Sequence, residues 1–231
     1  GVSEHWQTVL DPADARDLQD HALHGYPLFA AAGYLALVLD WLNDQQQPLQ
    51  CADLNLDRPL WFNAGSVQLQ AVRDGDEFRF HARTSQAEDA GSWQLHGQLR
   101  LIRSAEQAIQ PLQDLVFDGG ADLDISNFYR SLKSLGLDYG RFYRPLAALQ
   151  ANAKSAEALL HRPDGAPDRS LIDGCFQLVA AVLAQTHADG QLLLPVGVEQ
   201  MQMLRWPLPD QLRCRLQLRS EDQNQGAEGS R

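Results

Sequence analysis

The sequence has 231 residues, with 19 Lys and Arg against 30 Asp and Glu for a formal net charge of −11. That length builds one large core or two packed halves, and the acidity argues against a nucleic-acid or anionic-membrane surface, since both require surplus cations. With 44% hydrophobic and 21% charged residues the balance is that of a folded chain rather than a disordered one.

The opening GVSEHWQTVLDP shows neither the basic nor the apolar region of a secretory signal. The first strong element is LFAAAGYLALVLDWLN, read as a buried helix from Leu28 to Asn43. Its apolar run, Leu28 to Leu39, is too short to span a bilayer and is followed by Asp40. In GSVQLQAVRDGDEFRFHA, Val67, Leu69 and Ala71 alternate with polar residues, Asp74-Gly75 offers a turn, and Phe78 and Phe80 resume the alternation, a hairpin pattern. WQLHGQLRL places Trp93, Leu95, Leu99 and Leu101 on one predicted strand face. Gly119-Gly120 then marks a linker.

In the second half, SNFYRSLKSLG reads as a short helix from Ser126, the expected N-cap, to a stop at Gly136. LIDGCFQLVAAVLAQTH reads as a second buried helix from Leu171 to about His187. QLLLPVGVEQMQML and LRCRLQLR are strand-like, and the final SEDQNQGAEGSR reads as a frayed tail. The pattern is thus α+β, two units that each wrap an antiparallel sheet around a buried helix.

Cys51, Cys175 and Cys214 are far apart and lack a CxxC spacing. No disulfide framework or zinc site is expected, a reducing cytoplasm fits best, and Cys175 reads as a buried, inert thiol. His5, His161 and His187 read as solvated, and His81 and His96 as structural residues on strands. No histidine pair has a metal-binding helical spacing, and GxSxG, P-loop and GxGxxG motifs are missing from the sequence. His21 differs, because it shortly precedes the first apolar helix, whose terminal N–H groups can stabilise a developing oxyanion. Asp173 and Gln177 share a face of the second helix at i, i+4. A carboxyl group among apolar neighbours has its pKa pushed up and can act as a general acid near neutrality.

Four motifs in order give these residues a common context. His21, Gly25 and Ala30 fall on an HxxxGxxxxP pattern followed by Ala31-Ala32-Gly33-Tyr34-Leu35, where GAGYL is usual. LKSLGLDYGRFY, Leu132 to Tyr143, matches LxxLGLxYGPxF. LIDGCFQ matches LLDxxxQ, and Leu194-Pro195-Val196-Gly197-Val198 matches LPxxV. The chain therefore resembles the dehydratase domains of modular polyketide synthases.

The resemblance implies a double hotdog fold, with an N-terminal hotdog over 1–112 carrying the histidine, a linker over 113–120, and a C-terminal hotdog over 121–219 carrying the aspartate. Residues 220–231 would be the disordered tail. It implies that His21 takes the α-proton of a 3-hydroxyacyl thioester, that Asp173 protonates the departing hydroxyl, and that Gln177 orients Asp173. Gly25, Ala30, Ala31, Tyr139 and Gly140 would make substrate and oxyanion contacts. No cofactor is implied, and the substrate would ride on the phosphopantetheine of an acyl carrier protein. Neighbouring synthase domains would be partners, and a homodimer is possible by resemblance. Arg130, Lys133, Arg141 and Arg144 cluster in the sequence and are read either as a docking site for the acidic carrier or as a solvated face.

The sequence also departs from the pattern. Ala30 and Arg141 stand where the family carries proline, Tyr143 where it carries phenylalanine, and Asp168-Arg169 where His-Pro usually precedes LLD. Loss of the proline before the first helix frees φ there. Dehydration is the leading expectation because His21 and Asp173 are both intact. The alternatives are a repurposed relative that closes pyran rings, shifts double bonds or takes part in chain branching, and a non-catalytic scaffold.

Overall fold

The computed structural model describes residues 3–44, 50–63, 65–84, 92–102, 117–186 and 194–218. The first half runs β1 (Glu4–Leu10), a 3-10 turn (Arg16–Gln19), β2 (His21–Leu23), β3 (Tyr26–Pro27), α1 (Ala31–Asp44), β4 (Gln50–Leu56), β5 (Val67–Asp74), β6 (Glu77–Thr84) and β7 (Gln94–Leu101). The second runs β8 (Ala121–Asp122), α2 (Ile125–Ser134), β9 (Leu137–Tyr139), a 3-10 turn (Arg141–Tyr143), β10 (Leu146–Ala151), β11 (Ser155–His161), α3 (Asp168–Thr186), β12 (Gly197–Gln202) and β13 (Gln211–Gln217). The expected tail and His187 lie outside the described residues.

The strands form an antiparallel six-stranded sheet, β1-β5-β6-β7-β4-β12, a four-stranded sheet, β13-β11-β10-β8, and a small sheet, β3-β2-β9. β12, which follows α3 in the chain, pairs with β4 of the first half (Val198 opposite Leu54). β2 pairs across the halves with β9, setting His21 opposite Tyr139. The helices α1 and α3 pack against each other, and one contiguous apolar core runs through both halves.

Both long helices form where the apolar runs lead one to expect them, with shifted starts. The first begins at Ala31 rather than Leu28, because Leu28 bridges Trp61 and the Phe29 N–H donates to the Leu60 carbonyl at 2.9 Å, which holds both residues extended. α3 takes in Asp168 to Ser170, and Asp168 in its first turn suits the positive end of the helix dipole. The N-cap of α2 is Asp124, not Ser126: its carboxylate accepts from the Asn127 N–H at 2.7 Å, leaving Ser126 inside the first turn.

The strand face expected of Trp93, Leu95, Leu99 and Leu101 is split. A bulge at His96 pairs Phe80 with Gly97 but His81 with Leu95. Leu99 and Leu101 therefore enter the core, while Leu95 joins His81 on the opposite face and Trp93 lies under the Arg83 guanidinium at 4.5 Å. Among the described residues no helix is long and apolar enough to cross a membrane.

Candidate active site

A hairpin carries His21 to its place. His24 and Gly25 both adopt positive φ, +50° and +84°, which turns the chain between β2 and β3. Leu28 is thereby brought back beside His21, and its N–H donates to the His21 carbonyl at 2.8 Å. The imidazole Nδ1 lies 2.9 Å from the Leu28 carbonyl oxygen. A carbonyl only accepts, so Nδ1 carries a proton, and in the neutral ring Nε2 keeps its lone pair.

That free nitrogen points across to α3, with Nε2 3.8 Å from Asp173 Oδ1 and both side chains buried. The gap is too long for a direct hydrogen bond. The imidazole and the carboxyl group thus face each other without a direct hydrogen bond between them. The Tyr139 and Tyr143 rings flank the imidazole, with centroids 5.5 and 5.4 Å away.

Asp173 is only 4% exposed. Burial raises its pKa, opposed by His21 and by hydrogen bonding from Gln177 and Tyr139. Gln177 is the hub of this side. Its amide nitrogen donates to Asp173 Oδ2 and to the Tyr143 carbonyl, each at 3.0 Å, and its oxygen accepts from the Tyr129 hydroxyl at 2.9 Å. Burial raises the pKa of the Tyr129, Tyr139 and Tyr143 phenols, so all three remain protonated at neutral pH.

His21, Tyr139, Asp173 and Gln177 line a cavity of about 580 Å³. Asp173, Phe176, Gln177 and Ala180 face it from one side of α3, at the i, i+3, i+4, i+7 spacing of a helical stripe. Leu56, Arg58, Pro59 and Leu60 of the first half and Leu194 to Gly197 leading into β12 form other parts of the wall, with Arg58 a cation in the lining. The walls are otherwise mostly apolar, as suits an acyl chain.

The structure thus brings together His21, Asp173, Gln177, Tyr139 and Ala31 from the predicted set. Gly25, Ala30 and Gly140 do not line the cavity. Gly25 sits in the exposed turn, and Ala30 is buried ahead of α1 with its carbonyl accepting from the Gly33 N–H. Gly140 abuts Asp20 so closely that a Cβ there would meet the carboxylate at 2.1 Å.

The four basic residues are in unequal positions. Lys133 is ion-paired to Asp138 at 2.6 Å, Arg130 donates to Asn127, and Arg144 donates to the Tyr139 carbonyl at 2.6 Å. Arg141 is exposed, over the Phe142 ring.

Of the other predicted residues, His5 and His161 are exposed, whereas His81 and His96 sit on strands with a buried Nδ1. Burial pushes the Cys51 thiol up to about 12. Cys175 is half-buried, and its thiol is raised by a hydrogen bond with Cys214 and by burial. Among the described residues, no three or more His, Cys, Asp or Glu side chains gather as a metal site would require.

Sequence reasoning missed Tyr129 and Arg58, and it also missed an ion pair between Asp17 and Arg169. The arginine Nε donates to Asp17 Oδ2 at 2.8 Å and its Nη2 donates to the same oxygen. Tyr143 was visible as a departure from the family pattern, and its carbonyl proves to anchor Gln177.

A family profile described as polyketide synthase dehydratase N-terminal domain matches residues 107–231, and one described as polyketide synthase dehydratase domain matches residues 2–86. The chain is similar to prosolanapyrone synthase of Alternaria solani, with 27% identity over 232 residues, covering 85% of this chain and 9% of that protein. It is also similar to a highly reducing polyketide synthase of Pyrenophora dematioidea, with 24% identity over 234 residues, covering 87% of this chain and 9% of that protein. The chain therefore spans only 9% of the length of these two relatives.

Among solved structures, the dehydratase domain from the CurF module of curacin polyketide synthase matches with a TM-score of 0.78 at 21% identity, over 95% of this chain and 84% of that one. The corresponding CurK domain matches with a TM-score of 0.78 at 20% identity, over 95% and 83%. These likenesses establish the double hotdog fold. With that fold and a dehydratase profile over more than half its length, the chain belongs to the polyketide synthase dehydratase domain family.

Proposed function

We propose that this domain removes water from a 3-hydroxyacyl thioester carried by an acyl carrier protein, with His21 as base and Asp173 as acid. The observation that carries the reading is the pairing of a free His21 Nε2 with a buried Asp173 at 3.8 Å in one cavity. Two similar solved structures support a need for one histidine and one aspartate. Both are CurK dehydratases described as inactive mutants, one with a histidine replaced by phenylalanine and one with an aspartate replaced by asparagine.

In the proposed step, His21 Nε2 accepts the proton on the carbon next to the thioester carbonyl. The electron pair of that C–H bond becomes the new double bond, and the C–O bond at the β-carbon breaks as its oxygen takes the Asp173 proton. Water leaves. The enzyme is then imidazolium and carboxylate, and transfer of one proton from His21 to Asp173 restores both groups. Gln177 holds Asp173 by one oxygen, leaving Oδ1 toward His21. The raised proton affinity of Asp173 matches the role of an acid near neutrality. The exposed Arg141 supports carrier docking on this side of the 3-10 turn.

The test is intact-mass analysis of a carrier-bound 3-hydroxyacyl substrate after incubation with wild type, His21→Ala and Asp173→Asn. The expected result is loss of the mass of one water with wild type alone. An unchanged mass with wild type overturns dehydration and directs the next assay to mass-neutral cyclisation or isomerisation.

A further inference from the structure

The base and the acid reside on segments more than 150 positions apart, and the Asp17–Arg169 pair, separated by 152 positions, joins those two segments directly. Asp17 lies four residues before His21, in the 3-10 turn that leads into β2. Arg169 lies four residues before Asp173, one helical turn earlier on α3. Asp17 is buried, and two N–H groups of the guanidinium converge on one of its oxygens. Arg169 also hydrogen-bonds the phenol of Tyr143, whose ring packs on His21 and whose carbonyl holds Gln177. Proline, usual at position 169 in the resemblance above, makes none of these contacts.

The links form a closed circuit. His21 is joined to Tyr139 by strand pairing, and the Tyr139 segment continues to Tyr143. Tyr143 binds Gln177, and Gln177 and Asp173 share α3 with Arg169. Arg169 returns to Asp17 and so to His21. The Asp17–Asp20 turn is fixed from a second direction, since the Asp20 carbonyl accepts from the Gly140 N–H at 2.7 Å and its carboxylate from the Phe142 N–H at 2.9 Å.

We infer that Asp17 and Arg169 are positioning residues that set the separation of His21 Nε2 from Asp173. The inference rests on the proposed roles of those two groups. Neither residue lines the cavity, so the pair acts through geometry rather than through contact with the substrate.

The experiment uses Arg169→Met, Arg169→Lys, Asp17→Asn and the Asp17→Asn/Arg169→Met double variant, with two readouts. In turnover of the carrier-bound 3-hydroxyacyl thioester, kcat is expected to fall about 10- to 100-fold in Arg169→Met, the scale of a small misplacement of reacting groups. KM should stay within about twofold, since no substrate contact is lost. Arg169→Lys should fall in between, because an ammonium keeps the charge but not the fork. The double variant should be no worse than the worse single variant, as expected of two partners in one interaction. Independently of any reaction, the ring 15N resonances of His21 should shift in every variant, as Asp173 moves relative to Nε2.

Lowered melting temperatures with unchanged kcat and unchanged His21 resonances would overturn the inference and leave the pair a purely structural link. A wild type that does not dehydrate, together with His21 resonances that move in the variants, would overturn the reaction and uphold the positioning.

Discussion

His21 hangs from main chain, whereas Asp173 is set among side chains. The histidine is fixed by strand pairing with β9, by a two-way exchange with the Leu28 backbone and by a turn at Gly25. The aspartate is fixed by Gln177, which Tyr129 and the Tyr143 carbonyl hold in turn, and by Tyr139. The tautomer of the neutral His21 ring is therefore written into a backbone carbonyl that no ordinary substitution removes. The proton affinity of Asp173, by contrast, depends on the identity of several residues. Divergence within such a site can retune Asp173 more readily than His21.

The comparison predicts its largest effect at Gln177. Gln177→Leu keeps the volume but leaves the Tyr129 hydroxyl, the Tyr143 carbonyl and Asp173 Oδ2 without their shared partner. We expect a loss of about 2–3 kcal/mol in urea unfolding and a fall in kcat of about tenfold or more. A stability loss below about 0.5 kcal/mol would mean that Asp173 does not depend on this amide.

On the base side, Gly25→Ala places a Cβ at φ +84° with no atom within 4 Å, so the cost is backbone strain alone. About 1–2 kcal/mol is expected, with a smaller effect on kcat than Gln177→Leu. A larger kcat effect at Gly25 would reverse the comparison.

The smallest effect concerns pH. The folded-state pKa of Asp173 is raised, so its protonated form favours folding, and that contribution is lost as pH rises through the raised value. Asp173→Asn should gain stability relative to wild type at about pH 8, and the advantage should shrink below about pH 4, where the unfolded carboxyl is protonated too. Melting curves at the two pH values measure this. A gap that widens on acidification would contradict the cost of burying the carboxylate.

Much of this molecule was legible in its residues. The two apolar helices and the β5–β6 hairpin follow from periodicity and turn chemistry. The approach of His21 to Asp173 followed from motif order and not from periodicity, because nothing local links positions 21 and 173. Three features stayed hidden for physical reasons. The bulge at His96 shifts a strand's phase by one residue, so the alternation of Trp93 and Leu95 with Leu99 and Leu101 continued on paper but not in space. Asp124 does not stand out as a cap because Ser126 is an equally good capping residue two positions later. The Asp17–Arg169 pair joins two unremarkable charged residues whose meeting depends on the packing of α3.

The pairing of β12 with β4 bears on how new specificities can be assembled from relatives. Leu194 to Gly197 come from the second half of the chain, yet the strand that follows them is laid on the first-half sheet. A chimera crossed over at residues 113–120 would join a cavity wall from one parent to the six-stranded sheet of the other. Its β4–β12 seam would be a new, unselected interface. Acyl preference in such a hybrid would be inherited from neither parent intact, and moving the crossover to a point after β12, beyond Gln202, would keep that wall with its own sheet.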